Sequence, residues 1–110
     1  MPRSHARANS PQAPDMELRF AGPVWFWRGP APFHFVTVPA AESEMIHDVA
    51  GIVTYGWGMI PVRVTVGSTT LSTSLWPKDG GYIVPIKKAL QDSESIAVDD
   101  VIEITLDIDA

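Results

Sequence analysis

The strongest constraint in this 110-residue chain lies near its end, where Val101 to Asp109 alternates strictly between apolar and polar residues. Ile102, Ile104, Leu106 and Ile108 fall at every second position, with Glu103, Thr105, Asp107 and Asp109 between them. A period of two marks a β-strand with one face on a core and the other in water. Ile60 to Val66 repeats the pattern, setting Ile60, Val62, Val64 and Val66 against Pro61, Arg63 and Thr65. Gly67-Ser68 then suits a two-residue hairpin, with glycine at the positive-φ position of a type II′ turn, and Thr69 to Trp76 is the return strand.

The remaining elements are shorter. Glu17 to Arg28 reads as a strand interrupted at Gly22-Pro23, a step that demands a bulge or a break between two strands. Gly29-Pro30-Ala31-Pro32 is a turn, and Phe33 to Val38 a strand rich in aromatic and β-branched residues. Pro39 closes that strand beside a helix over Ala40 to Val49, with Met45, Ile46 and Val49 expected on its apolar face and Gly51 as its terminator. After a glycine-flanked Trp57 and the hairpin, Pro77 to Gly81 is a turn and Tyr82 to Val84 a short strand. Pro85 is expected to open a second short helix, Ile86 to Gln91, with Ile86, Ala89 and Leu90 on one face. Strand, proline, short helix and later strand thus occur twice, which suggests a barrel of two similar halves and an internal duplication. The expected fold is mainly β: a small closed β-barrel of six or seven strands with two short helices. It occupies residues 17–110 as a single domain. Residues 1–16, with Pro2, Pro11 and Pro14 and no aliphatic periodicity, read as a disordered tail.

Several of these segments together resemble a known family. They are Phe33-His34-Phe35-Val36-Thr37-Val38-Pro39, Gly56-Trp57-Gly58, Ile60 to Gly67, Thr73-Ser74-Leu75-Trp76-Pro77 and Gly80 to Lys87. The combination resembles domain-of-unknown-function family 1905 over about Leu18 to Asp109. The resemblance implies a small closed barrel related to swapped-hairpin barrels, and it carries no reaction and no catalytic residues. Some relatives join the domain to a C-terminal segment associated with bacteriocin protection. This sequence stops at Ala110, just after the last strand, so that association is not carried over. Relatives place Gly-Asp where this chain has Asp99-Asp100, so Asp99 is expected to take a left-handed conformation at mild cost.

Composition narrows function mainly by exclusion. The chain has no cysteine, which rules out disulfides, thiolate metal sites and cysteine nucleophiles and fits a cytoplasmic protein. No apolar run approaches the ~20 residues of a membrane-spanning helix, and the basic N-terminus lacks the apolar stretch of a secretory signal. From Glu17 onward there are 6 basic and 12 acidic residues, a balance that repels nucleic acid. The seven acids after Gln91 read as a solvated face.

No catalytic, metal or cofactor motif is present. His34 and His47 sit on separate elements without metal-ligand spacing, no serine lies in a nucleophile elbow, and the glycines lack a phosphate-loop lysine. What remains is an aromatic and polar set, Trp57, Arg63, Ser74, Trp76, Lys78 and Tyr82, whose indoles, hydroxyls and cations suit a small-ligand or peptide site at the open end of the barrel. The competing reading is that Trp57 and Trp76 plug the barrel ends. The leading expectation is therefore a non-enzymatic binding module for a small molecule or peptide. The alternatives are a nucleic-acid-binding regulator, by analogy with swapped-hairpin barrels, and an enzyme using His34 beside a carboxylate.

Overall fold

The computed structural model describes residues 16–29, 32–53 and 59–108. Seven strands are present: β1 (Met16–Pro23), β2 (Trp25–Arg28), β3 (Pro32–Thr37), β4 (Ile60–Val66), β5 (Thr69–Lys78), β6 (Gly81–Pro85) and β7 (Val101–Ile108). Helix α1 (Ala40–Val53) lies between β3 and β4, and α2 (Lys88–Glu94) between β6 and β7. The strands form one antiparallel sheet in the order β1-β7-β4-β5-β6-β3-β2. The repeated strand–proline–helix–strand pattern folds as two interlocked units. Their first strands, β3 and β6, pair with each other, as do their second strands, β4 and β7.

The sheet is an open half-barrel, which corrects the expected closed barrel. Its two edges are β1 and β2, and these are consecutive in the chain with only Val24 between them. Two strands joined by one residue run on end to end; they cannot turn back to lie side by side and hydrogen-bond. The interruption expected at Gly22-Pro23 is thus a break, placed one residue later. Val24 is fully buried, its N–H donates to the Asp100 carbonyl at 2.9 Å, and its carbonyl accepts from the Asp99 N–H at 2.8 Å.

The long strand β5 joins the two halves, pairing β4 through Thr69–Leu75 and β6 through Trp76–Lys78. The inward residues of β4 and β7 are at most 9% exposed, as their alternation requires. Phe35 and Ile83 are also buried, yet they lie apart from this core, on the opposite face of the sheet.

Local details refine the expectations. The Gly67-Ser68 hairpin forms with Gly67 at φ +59°. The next turn is tighter than expected: β5 continues to Lys78, and Asp79 and Gly80 both adopt positive φ (52° and 82°), the type I′ arrangement favoured by Asp-Gly. Met16, expected in the tail, belongs to β1 and packs half-buried on the core; residues 1–15 lie outside the described residues. Helix α1 runs past Gly51 to Val53; among its described side chains, which exclude Val49, the buried ones are Ser43 and Ile46, while Met45 is 46% exposed. Helix α2 begins at Lys88 because Pro85 still belongs to β6, and Ala89 faces water while Ile86 and Leu90 are buried.

Asp99 does occupy the left-handed region, at φ 75°. This conformation points its N–H at Val24, so the mild strain is tied to the corner contact. Asp99→Gly should therefore raise unfolding free energy by about 0.5–1 kcal/mol by relieving the side-chain penalty. Urea denaturation checks this, with a midpoint that rises at constant slope.

Candidate functional site

A β-sheet sorts side chains by parity, and parity divides the residues singled out in the sequence. On β5, Leu75 points into the core, so Ser74, Trp76 and Lys78 face the other side. The register sets Arg63 on that outer face too, opposite Ser72 and Asp107. Tyr82 pairs with Pro77 and is buried in the core cluster on the inner face. Arg63 pairs at the level of Ser72, six residues from Lys78, a separation of about 20 Å along the strand. One small ligand cannot span Arg63 and Lys78, whereas Lys78 and Tyr82 both line a second cavity, of about 370 Å³, beside α1 with Ser43 and His47. Trp57 lies outside the described residues. The sequence-derived set therefore does not form a single groove.

Tyr82 belongs to a small polar contact with α1. Its hydroxyl lies 3.4 Å from His47 Nδ1, and His47 Nε2 lies 3.0 Å from the Gly80 carbonyl. A carbonyl only accepts, so Nε2 carries the proton and Nδ1 accepts from the phenol. Burial raises the Tyr82 pKa above the ordinary value of 10.0. The unfolded chain therefore loses this proton first, and stability falls as pH rises from about 10 through the higher folded-state pKa. Thermal melts between pH 9 and 11 should show a steeper alkaline loss in the wild type than in Tyr82→Phe.

The outer face of β2, β3 and β5 carries an aromatic cluster. Trp76 packs against Phe35, Phe33 and Trp27 with ring centroids 5.1, 5.7 and 6.4 Å away, and Trp25 packs on Phe35 at 5.1 Å. The Trp25 indole N–H donates to Thr37 Oγ1 at 3.0 Å. The rings are tilted or edge-to-face, with interplanar angles from 34° to 86°, so they form a packed layer and not a coplanar stacking platform. Phe35 is fully covered, whereas Trp27 and Phe33 remain 44% and 40% exposed. Trp76 thus neither plugs a barrel end nor stands alone; it anchors a second, outer layer.

Beside this layer the sheet opens. Pairing of β6 with β5 stops at Ile83, and pairing with β3 stops at Pro85, after which the chain turns away into α2. A groove of about 620 Å³ lies there, lined by Phe26, Phe33 and Trp76 from the strands, His34 and Thr73 beside them, and Ile86, Lys87, Lys88 and Gln91 from the turn and helix. The Gln91 amide nitrogen donates to the Ile86 carbonyl at 2.8 Å and lies 3.2 Å from His34 Nδ1. An amide N–H in that position makes Nδ1 the acceptor and leaves the histidine proton on Nε2. His34, the candidate base of the enzyme reading, therefore faces an amide partner.

Of the sequence-derived site residues that are described, the groove takes in only Trp76. Phe26, Phe33, Lys87, Lys88 and Gln91 were missed because their meeting depends on where β6 leaves the sheet. Among the described residues no group of three or more potential metal ligands occurs.

No curated protein matches the chain. The family model for a domain of unknown function, DUF1905, matches residues 20–106. That span runs from β1 to β7 and includes both the aromatic layer and the groove. The chain therefore belongs to the domain-of-unknown-function family DUF1905.

Proposed function

We propose that this domain is a non-enzymatic binding module that takes a small molecule into the groove between β3 and β5. The observation that supports it most is the convergence of three aromatic rings with the His34–Gln91 pair around a space of about 620 Å³. Small-molecule sites commonly have this size and make-up: apolar walls, and a few fixed polar groups that set orientation. The rings of Phe33 and Trp76 are braced from behind by Phe35, so the wall is preformed. Phe26 stands edge-on to His34 at 5.0 Å, which holds the imidazole on its other side.

The competing readings draw less support. A general base needs an orienting acid or a proton acceptor of matched strength, and the ring of His34 is held by an amide. Nucleic-acid binding, which needs many cations along a phosphate backbone, is opposed by a chain of net charge −5.

A fragment screen that follows amide shifts on labelled protein tests the proposal. Shifts should cluster at residues 33–34, 73–76 and 86–91. Trp76→Ala should weaken a groove-binding fragment about tenfold or more, whereas Trp27→Ala, from the same aromatic layer but outside the groove, should leave its affinity unchanged. Shifts confined to the backbone of residues 25–28 would instead indicate a peptide adding to the β2 edge and would end the small-molecule reading.

A further inference from the structure

We infer that the groove selects anions: its ligand is a flat, apolar body carrying a carboxylate or a similar compact negative group. This rests on the groove reading above and narrows it to a ligand class.

The first support is the distribution of charge. The chain carries 13 acidic and 8 basic residues, yet the groove lining contains two lysines, one histidine and no carboxylate. The two acids nearest in sequence are absent from the lining and each already has a partner. Asp92 on α2 pairs with Lys88, 3.0 Å away, and Glu94 accepts a 2.6 Å hydrogen bond from Thr69 Oγ1 at the base of the β4–β5 hairpin. Glu94 also occupies the space that a side chain on Gly67 would need, so the glycine fixes that docking.

The second support is the state of each donor. Lys87 Nζ donates to the Ser72 carbonyl of β5 at 2.9 Å. That partner is neutral, so the bond positions the ammonium at the groove without cancelling its charge, and two of its three protons remain available. Among the described residues no carboxylate pairs with Lys87. Lys88 differs, since its charge is matched by Asp92 in an exposed i,i+4 pair. His34 lines the groove beside these lysines, and with Gln91 against Nδ1 the ring nitrogen left to donate is Nε2. Lys87 and His34 thus present donors, while Phe26, Phe33 and Trp76 offer ring surface. An ammonium ligand would meet a like charge here, and a neutral one would forgo the charge-assisted hydrogen bond that a carboxylate accepts from Lys87.

The test compares three probes of one shape on the full chain: 2-naphthoate, 2-naphthamide and 2-naphthylmethylammonium. Binding is read from amide shifts at residues 33–34, 73–76 and 86–91. The naphthoate should bind at least about tenfold more tightly than the amide, and the ammonium more weakly than either. Lys87→Gln should reduce naphthoate affinity to that of the amide while leaving amide affinity within about twofold, and Lys87→Arg should restore selectivity. Lys88→Gln changes net charge equally and should retain most of the preference, because Asp92 already engages that lysine. Equal binding of amide and naphthoate in the groove would overturn the anion inference and leave the groove reading standing. Equal loss of preference in the Lys87 and Lys88 variants would overturn the assignment to Lys87. No shift in the groove with any probe would overturn both readings.

Discussion

The fold turns on the backbone at Val24. This residue ends the pairing of β1 with β7 and begins the pairing of β2 with β3, so the chain crosses from one edge of the sheet to the other in a single step. For that to happen the sheet must curl until its edges meet at a corner. The corner is closed by two backbone hydrogen bonds to Asp99 and Asp100 and by the full burial of the valine. Asp100 stabilises the same turn from its side chain, where Oδ2 accepts from the Ala97 N–H at 2.9 Å. A left-handed Asp99 is tolerated because the alternative would leave a buried carbonyl on Val24 unpaired, which costs more than the local strain.

Curling also explains why a groove exists at the other end of the sheet. Strand β6 is short, and Pro85 closes it with no N–H to continue a ladder. Ile86 makes the last bond to β3, its N–H reaching the His34 carbonyl at 2.8 Å, before Ile86 and Leu90 are drawn into the core. Burying those two side chains pulls the chain out of the sheet between β3 and β5. Strands β3 and β5, each a neighbour of β6, are two strand spacings apart, about 9.5 Å, and the groove lies where β6 has left them. The aromatic layer covers the outer face of the half-covered sheet, and two of its rings, Phe33 and Trp76, also wall the groove.

Much of this was legible in the sequence, for a physical reason. Strand β7 and the β4–β5 hairpin obey a strict period of two, and parity depends only on neighbouring residues. Residues such as Ile104 and Val64 could therefore be placed in the core from sequence alone. The left-handed Asp99 was expected from the family resemblance, because relatives place a glycine at that position, and local periodicity alone does not reveal it. Barrel closure was not legible: it depends on whether two edges pair, and the single-residue link at Val24 decides that only in three dimensions. Met45 was misplaced on α1 because, among the described side chains of the helix, Ser43 and Ile46 are the buried ones and Met45 faces water. The site was the least legible part. Arg63, Trp76 and Tyr82 look alike as exposed polar or aromatic positions in a string, but the sheet puts Tyr82 on the opposite face. Lys87 and Gln91 were ordinary helix-end residues until the turn after Pro85 brought them beside His34.

A cationic groove in an acidic protein raises the question of which field a ligand meets. At physiological ionic strength the screening length is about 8 Å. Most carboxylates of β7 and its preceding turn lie on the side of the sheet order away from β3, so salt weakens their reach into the groove. A group in contact with Lys87 is subject to far less screening, and the apolar rings around it lower the local dielectric response. Net charge therefore governs how often an anion arrives, and the groove governs how long it stays. Encounter should be slowed by the global charge, yet the proposed bound state is held by an ammonium that the Ser72 carbonyl positions and that no carboxylate among the described residues pairs with. Selectivity of this kind resides in the dissociation rate, which is where contacts within one interface mostly act.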